Sequence, residues 1–468
     1  MSPLWSAAEI ADATGGTVRQ GDFDAAGATF DSREVGPGDL FIALKGEATD
    51  GHRFVEQAFA AGAAGALVGE KVPYPHVHVP DTTLALNHLA WASRDRCQGK
   101  VIGVTGSVGK TGTKEALFAA LDRAAPGRAH RSVKSYNNHT GVPLSLIRMP
   151  RAAKFGVFEM GMNHAGELAA LTRIVRPHVA IVTAIAPAHR EYFASDEAIA
   201  DAKSEIFQGL EPGGTAIVPF DSPHRDRLIE AARPCAANIV TFGLGEGADV
   251  RATYVVRGPK GGSLVTAQLA GASLSFTLAP PGEHWVANAL AVLAAVEAVE
   301  GDLAAAGLAL ADLGGLKGRG ERHRVPVRGG EALLIDESYN ANPASMAATL
   351  KVLGEEKIEG KRIAVLGSMR ELGPDSDDFH RALAGRLEEA GVDYAILVGR
   401  EMEVLAKALG GQVKMAHVPD AASALPLARA AIGPGDALLV KGSNAIGLAA
   451  LVEALAGGPP PLPGAGKD

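Results

Sequence analysis

The stretch VIGVTGSVGKTGTKEAL, residues 101–117, decides the fold. An apolar run rich in β-branched residues is followed by a loop carrying Gly106 and Gly109, then by Lys110-Thr111 and a helix-like Ala/Leu segment. Backbone N–H groups in such a loop and at the helix start point at a phosphate, the Lys110 ammonium adds positive charge, and the Thr111 hydroxyl can reach a magnesium ion. Thr105, Gly106, Ser107, Val108, Gly109, Lys110, Thr111 and Gly112 are therefore expected to cradle the phosphates of ATP or GTP. The strict G-x-x-x-x-G-K-[ST] form would put Gly at 104, where this chain has Val104. The order of strand, glycine loop, Lys-Thr and helix carries the reading instead, against the plain alternative of a Gly-rich turn before a helix.

The same alternation of apolar run, turn and helix-like stretch recurs on both sides. FGVFEM (155–160), VAIVTAIA (179–186), RIAVLG (362–367), YAILVG (394–399) and ALLVKG (437–442) read as strands. Their continuous apolar character predicts burial on both faces, and so α/β architecture with mostly parallel sheets. Between about 250 and 280 the pattern becomes alternating runs split by GPKGG and AG, which read as antiparallel hairpin strands at a sheet edge. Breaks after LNHLAWASRDRCQ (86–98) and within LGGLKGRGERHRVPV (313–327), where Gly, Arg and Pro form a linker, divide the chain into three domains. A small N-terminal α/β domain (1–98) precedes a central P-loop domain with a mostly parallel sheet (99–322) and a C-terminal Rossmann-like α/β domain (323–468). The tail GGPPPLPGAGKD reads as a frayed end.

Length and composition agree. At roughly 150 residues per domain, 468 residues suit about three. Hydrophobic residues are 47% and charged residues 21%, the balance of a chain that folds. Forty-five Lys and Arg against 53 Asp and Glu give a formal net charge of −8, with no basic excess to hold nucleic acid. The two cysteines, Cys97 and Cys235, form no C-x-x-C pair, which fits a reducing compartment. The start lacks the basic and apolar regions of a signal peptide, and no apolar run reaches about 18 residues. A cytoplasmic protein without membrane insertion is expected, acting as a monomer.

The loop Thr105–Thr111 resembles the T-G-[ST/N]-x-G-K-[ST] phosphate loop of the Mur ligase family. The resemblance extends over nearly the whole chain. DSREVGPGDLFIALKGEATDGHRFVEQAFAAGA, TGSVGKTGTKE, NNHTGVPLSL, FEMGMNHAGE, DAKSEIF, GEHWVANALA, DESYNANPASM, GSMRELG and LVKGSNA follow one another in family order. The pattern is most similar to the members that add a dipeptide. It implies ATP-dependent addition of D-alanyl-D-alanine to UDP-N-acetylmuramoyl-tripeptide through an acyl phosphate, with ATP and Mg²⁺ as cofactors.

Site roles follow from that resemblance, each beside a plainer reading. Glu159, at the carboxyl end of FGVFE, is implied as a metal ligand, and such a strand end is where ligands bind in open sheets. His189 is implied in a second Mg²⁺ site, though a lone His after a strand is more often structural. Lys203 reads by itself as a solvated charge on an amphipathic helix; the family implies a lysine carbamylated by CO₂ that holds the second metal. Asn288 could cap a helix, and the family implies an adenine contact shared with Tyr339 and Asn340. Asp336 or Glu337 would hold the ribose hydroxyls, the family usually having Asp where Glu337 stands. Arg319 is implied as a phosphate clamp that engages when the domains close, its planar fork suiting a phosphoryl group; the bland alternative is a basic linker.

Ser32, Arg33, Lys45 and Gly46 are implied at the uridine diphosphate end, with Asp50 and His52 as weaker candidates. Asn137, Asn138 and Thr140 of NNHTGVP would contact the muramoyl-peptide. Lys441 and Ser443 would face the incoming dipeptide, while Ser368 and Asn444 replace the commoner Asp and Arg. Two other functions remain open at this point. A folylpolyglutamate synthetase or a Mur enzyme adding one amino acid would share the loop, and a nucleotide switch would hydrolyse ATP without making an amide.

Overall fold

The computed structural model describes residues 3–46, 49–188, 190–258 and 261–457; His189 and the tail beyond Gly457 lie outside the described residues. The α/β reading holds. The strand Lys100–Thr105 sits inside a nine-stranded sheet, with Phe155–Glu159 on one side and Val179–Val182 on the other, all parallel. The chain crosses from one half of the sheet to the other around this strand, and a crevice opens at the strands' carboxyl ends at such a crossover. The antiparallel strands Val250–Arg257, Ser263–Gln268 and Ser273–Leu278 form one edge, as the alternating pattern indicated.

Preceding this is a five-stranded sheet from Gly27–Thr29 to Thr17–Arg19, with one antiparallel pair. After it comes a six-stranded sheet, parallel except for Glu321–Val327 against Gly330–Glu337. Two departures from the sequence reading are instructive. The apolar run 179–186 is strand only as far as Val182, because the next residues turn aside to support the phosphate loop. Glu321–Val327, read as part of the linker, is an edge strand of the last sheet, where Pro326 is tolerated because its missing N–H faces no partner strand.

The cores divide unequally. One continuous apolar cluster runs from Trp5, Ile10, Leu86 and Leu89 of the first unit into Val142, Ile147 and Phe207 of the second. Buried polar bonds reinforce the join: Trp5 Nε1 donates to Ile147 O (3.0 Å) and Arg94 Nε to Val175 O (2.8 Å). The two main clusters of the last unit contain only residues from Val325 onward. It meets the middle unit through polar contacts such as Arg190–Asp375 (2.9 Å) and Lys351–Glu283 (2.8 Å). Polar interfaces between domains are the kind that let domains move.

Candidate active site

The expected site residues gather in two groups of side chains. The first lies at the carboxyl ends of the central parallel strands. Gly106 (φ +150°) and Gly109 (φ +85°) adopt backbone conformations that L side chains rarely take. A Cβ on Gly106 would lie 1.9 Å from Thr183 Oγ1, and one on Gly109 2.7 Å from Asn288 Oδ1. The loop is thus held from two sides. Thr183 Oγ1 donates to Val108 O (2.5 Å), and Ser107 N donates to Ala184 O (2.8 Å). Lys110, at the start of the helix Lys110–Ala124, donates from Nζ to Gly106 O (2.7 Å).

Behind the loop, Glu159 is 1% exposed, and its two oxygens accept from Thr111 Oγ1 (2.9 Å) and Asn137 Nδ2 (2.8 Å). A buried carboxylate beside a hydroxyl is a hard-oxygen set that suits Mg²⁺. Lys203 ends the helix Asp196–Ser204, 1% exposed, with no ion pair among the described residues. Burial, with the charge of Lys110 nearby, drives its amine well below the usual ammonium range. Burial also lowers Lys110, while Glu159 opposes that shift and Arg319 adds to it.

The second group lies on the linker and the last unit. Gly318 and Gly320, both left-handed, flank Arg319, and Asp336 clasps the turn by accepting from Gly318 N (2.8 Å). The Arg319 guanidinium lies 4.3 Å from the centre of the Tyr339 ring. Glu337 accepts from Lys441 Nζ (3.4 Å), which also donates to Asn340 O (3.0 Å). Burial pushes the Glu337 carboxyl up and the Lys441 ammonium down, each held back by the other's charge. A cavity of about 190 Å³ opens here, walled by Pro281, His284 and Trp285 of the middle unit, by Arg319 of the linker, and by Ile335 and Glu337 of the last unit. His284 is lowered to about 4 by burial and, next, by the charge of Lys441. Lys110 and Glu159 are not among the cavity walls.

With this geometry in hand, the likenesses to known proteins are specific. Residues 25–88 match the Mur ligase family catalytic domain, 104–296 the Mur ligase middle domain and 318–444 the Mur ligase glutamate ligase domain. Over 461 residues the chain is 34% identical to the UDP-N-acetylmuramoyl-tripeptide--D-alanyl-D-alanine ligase of Escherichia coli, covering 96% of this chain and 97% of that one. The chain belongs to the Mur ligase family. This Mur ligase is also similar to a crystal structure of MurF from Acinetobacter baumannii, with a TM-score of 0.84, 34% identity and coverage of 97% of this chain and 99% of that one. A MurF ligase from Thermotoga maritima in complex with ADP matches with a TM-score of 0.76 and 26% identity, over 92% of this chain and 97% of that one.

In this Mur ligase Lys110, Thr111, Glu159 and Asn137 are gathered in one group, and Arg319, Glu337, Tyr339, Asn340 and Lys441 in the other. Other expected residues make local contacts. Asp336 spends its oxygens on Gly318 N and Ser338 N, so Glu337 is the carboxylate left facing the cavity. Asn288 packs its amide against Gly109. Asn138 accepts from Thr140 Oγ1 (3.1 Å) and Gly141 N (2.9 Å), closing the turn into the helix Gly141–Ile147. Ser443 Oγ accepts from Arg370 N (2.9 Å). In the first unit Arg33 pairs with Asp31 (2.6 Å), whose carboxyl is held at about 2 chiefly by that hydrogen bond, and Ser32 donates to Gln57 (3.2 Å). Lys45 and Gly46 are exposed, and His52 Nδ1 faces Asp50 Oδ1 at 2.6 Å while its Nε2 accepts from Gly69 N. Among the described residues none of these first-unit groups bonds to either of the two groups; Glu34 of the first unit meets Lys134 and accepts from Tyr136 Oη (3.0 Å). Thr183, His284, Trp285 and Lys114 escaped the sequence reading. Only the quoted GEHWVANALA and TGSVGKTGTKE segments pointed at three of them.

Proposed function

We infer that this Mur ligase joins D-alanyl-D-alanine to UDP-N-acetylmuramoyl-tripeptide at the expense of ATP, in the cytoplasm, as a monomer. The reading is carried by the near-complete alignment with the Escherichia coli ligase of that name, and is supported by a positive-φ glycine loop whose Lys110 feels the charge of Arg319. A carboxylate is a poor electrophile, so it must be activated before an amine can displace anything from it. The tripeptide's terminal carboxylate oxygen attacks the γ-phosphorus of ATP, the bond to the β-phosphate oxygen breaks, and an acyl phosphate and ADP result. The dipeptide's neutral amine then attacks the carbonyl carbon. A tetrahedral intermediate collapses with loss of phosphate, and the nitrogen gives up a proton.

The protein's part is placement and charge. The amides of Gly106 to Thr111 and the Lys110 ammonium hold the phosphates, and Arg319 reaches the transferring group as the last unit closes over it. Closure also keeps water from the acyl phosphate. Thr111 and Glu159 fit a magnesium ion, being buried hard-oxygen donors already 2.9 Å apart; when bound, it neutralises charge on the phosphoryl oxygens. Lys203 fits a carbamate for a second ion. An amine that burial and the Lys110 charge push well below the usual ammonium range can attack CO₂ in its neutral form, forming an N–C bond and losing a proton, which leaves an oxygen anion in place of a cation. His189 would share that site. Glu337 would accept from the ribose hydroxyls, with Trp285, His284 and Pro281 walling the base.

Residues 1–98 would bind the uridine diphosphate end through Ser32, Arg33, Lys45 and Gly46. Residues 99–322 would hold ATP, and residues 323–468 the dipeptide beside Lys441 and Ser443. Incubation with ATP, Mg²⁺, UDP-N-acetylmuramoyl-tripeptide and D-alanyl-D-alanine, followed by mass spectrometry, tests the reading. Product heavier by the dipeptide residue is expected. ATP consumption without that product would point to a nucleotide switch, and indifference to the UDP substrate to a folate ligase. Running lysine- and diaminopimelate-containing tripeptides side by side would define the acceptor.

A further inference from the structure

Lys114 lies one helical turn beyond Lys110 and is fully buried, with 0% exposure. Taking an ammonium out of water is costly unless every donor finds an acceptor. Here Nζ donates to Ser132 O (3.0 Å) and Lys134 O (2.9 Å) and forms an ion pair with Glu115 Oε1 at 2.9 Å, with Glu159 Oε2 at 4.0 Å. These acceptors lie on different parts of the middle unit. Ser132 is itself buried, its N–H donates to Val157 O and its Oγ accepts from Glu159 N (3.1 Å). Lys134 has a left-handed backbone (φ +52°), and Lys114 grips the carbonyl of that bend. From the bend the chain runs to Asn137, whose side chain donates to the other oxygen of Glu159 and whose carbonyl accepts from Gly161 N (2.7 Å).

One buried charge thus ties the phosphate-loop helix to the bend that launches the segment Asn137–Pro143 and to the strand that ends in Glu159. We propose that Lys114 is a positioning residue for the acceptor peptide, setting that segment in register with the phosphate loop so that the peptide carboxylate meets the γ-phosphate. The inference rests on the functional reading above and on the family resemblance, which implies that Asn137–Pro143 contacts the muramoyl-peptide. A purely structural lysine would lower stability and leave the Michaelis constants alone.

The variant Lys114→Met keeps most of the volume and removes the donors. Glu115 retains Arg131 (2.7 Å), and Glu159 retains Thr111 and Asn137, so no carboxylate is stranded. KM for UDP-N-acetylmuramoyl-tripeptide should rise at least about tenfold, the worth of one charge-assisted hydrogen bond, while KM for D-alanyl-D-alanine and Kd for ADP·Mg²⁺ stay within about twofold. Lys114→Gln, which restores N–H donors without charge, should recover part of the loss, and it replaces the Met variant if that one does not fold. An unchanged acceptor KM in a folded variant overturns the proposal, as does a parallel rise in all three constants or the failure of both variants to fold. If the wild-type enzyme makes no product from the UDP substrate, the functional reading fails instead.

Discussion

Replacing Gly109 by Ala puts the phosphate cradle under a strain whose size follows from the coordinates. The position has φ +85°, which for an L-residue costs about 1–2 kcal/mol. The new Cβ would sit 2.7 Å from Asn288 Oδ1 and 3.3 Å from Nδ2, on a buried side chain inside the helix Glu283–Ala298, and overpacking of this kind adds about 1–3 kcal/mol. The loop escapes both terms only by leaving the geometry that aims its amides at phosphate. The cost therefore emerges as lost nucleotide affinity: about 2 kcal/mol or more, a thirtyfold or greater rise in Kd. Titration calorimetry with ADP·Mg²⁺ measures it. The double variant Gly109→Ala/Asn288→Ala removes the overlap and keeps the φ strain, so it should regain about tenfold of the affinity. Gly109→Ala binding ADP within about threefold of wild type would refute the cradle, since 0.65 kcal/mol is below about 1 kcal/mol for the smallest strain expected. If Asn288→Ala alone weakens ADP binding strongly, Asn288 touches the base, as the family pattern implied, and the packing account of its amide fails.

Thr183→Val removes the hydroxyl that donates to Val108 O and should weaken ADP·Mg²⁺ binding about fivefold, with Thr183→Ser near wild type; equal binding by Val and Ser variants would remove the supporting role. Lys203→Ala should lower ligase turnover by about 10²–10³, with partial return in high concentrations of a short carboxylate; unchanged activity would end the proposed role of that lysine. Acid should destabilise the fold in a defined window. His130 is lowered to about 4 by burial, chiefly, and its ring nitrogen Nε2 faces Ser145 O at 2.8 Å. The unfolded chain takes up that proton near 6.5 and the folded chain only near 4, so stability is complete above pH 6.5 and falls as pH drops toward 4, by up to about 3 kcal/mol. His284, also at about 4, acts in the same direction. The urea midpoint at pH 7.5 and pH 5 measures the loss, and His130→Gln should make the profile shallower; an unaltered profile would show that His130 does not contribute to it.

The phosphate loop was legible because its signals are local. Strand, positive-φ glycines and helix start all lie within a few residues of one another, and the residue types alone limit the backbone there. Even so, the apolar run 179–186 misled about where its strand stops. Hydropathy reports that Thr183–Ala186 is buried without saying that it is buried against a loop rather than in a ladder. The edge strand Glu321–Val327 was hidden by its Arg, His and Pro content, which looks like a linker until its partner Gly330–Glu337 is in place. Of the two acidic residues at the end of that partner, composition gave no choice. Alternation along the strand sends neighbours to opposite faces, and the fold gives Asp336 to the Gly318 turn and Glu337 to the cavity.

By sequence alone, then, residues 101–117 set a nucleotide loop on a parallel sheet, because glycine placement and a strand-to-helix order act over distances of a few bonds. The long ordered series of motifs identified the family. Tertiary structure decided which charges lose their water. Lys203 and Lys114 sit on helices whose periodicity looks ordinary, yet burial drives one well below the usual ammonium range while the other donates to two backbone carbonyls, because strands and loops distant in sequence pack over them. It also decided that the first two units share a core while the last meets them through polar contacts. Burial and desolvation are sums over neighbours from the whole chain, and no local window of residues contains them.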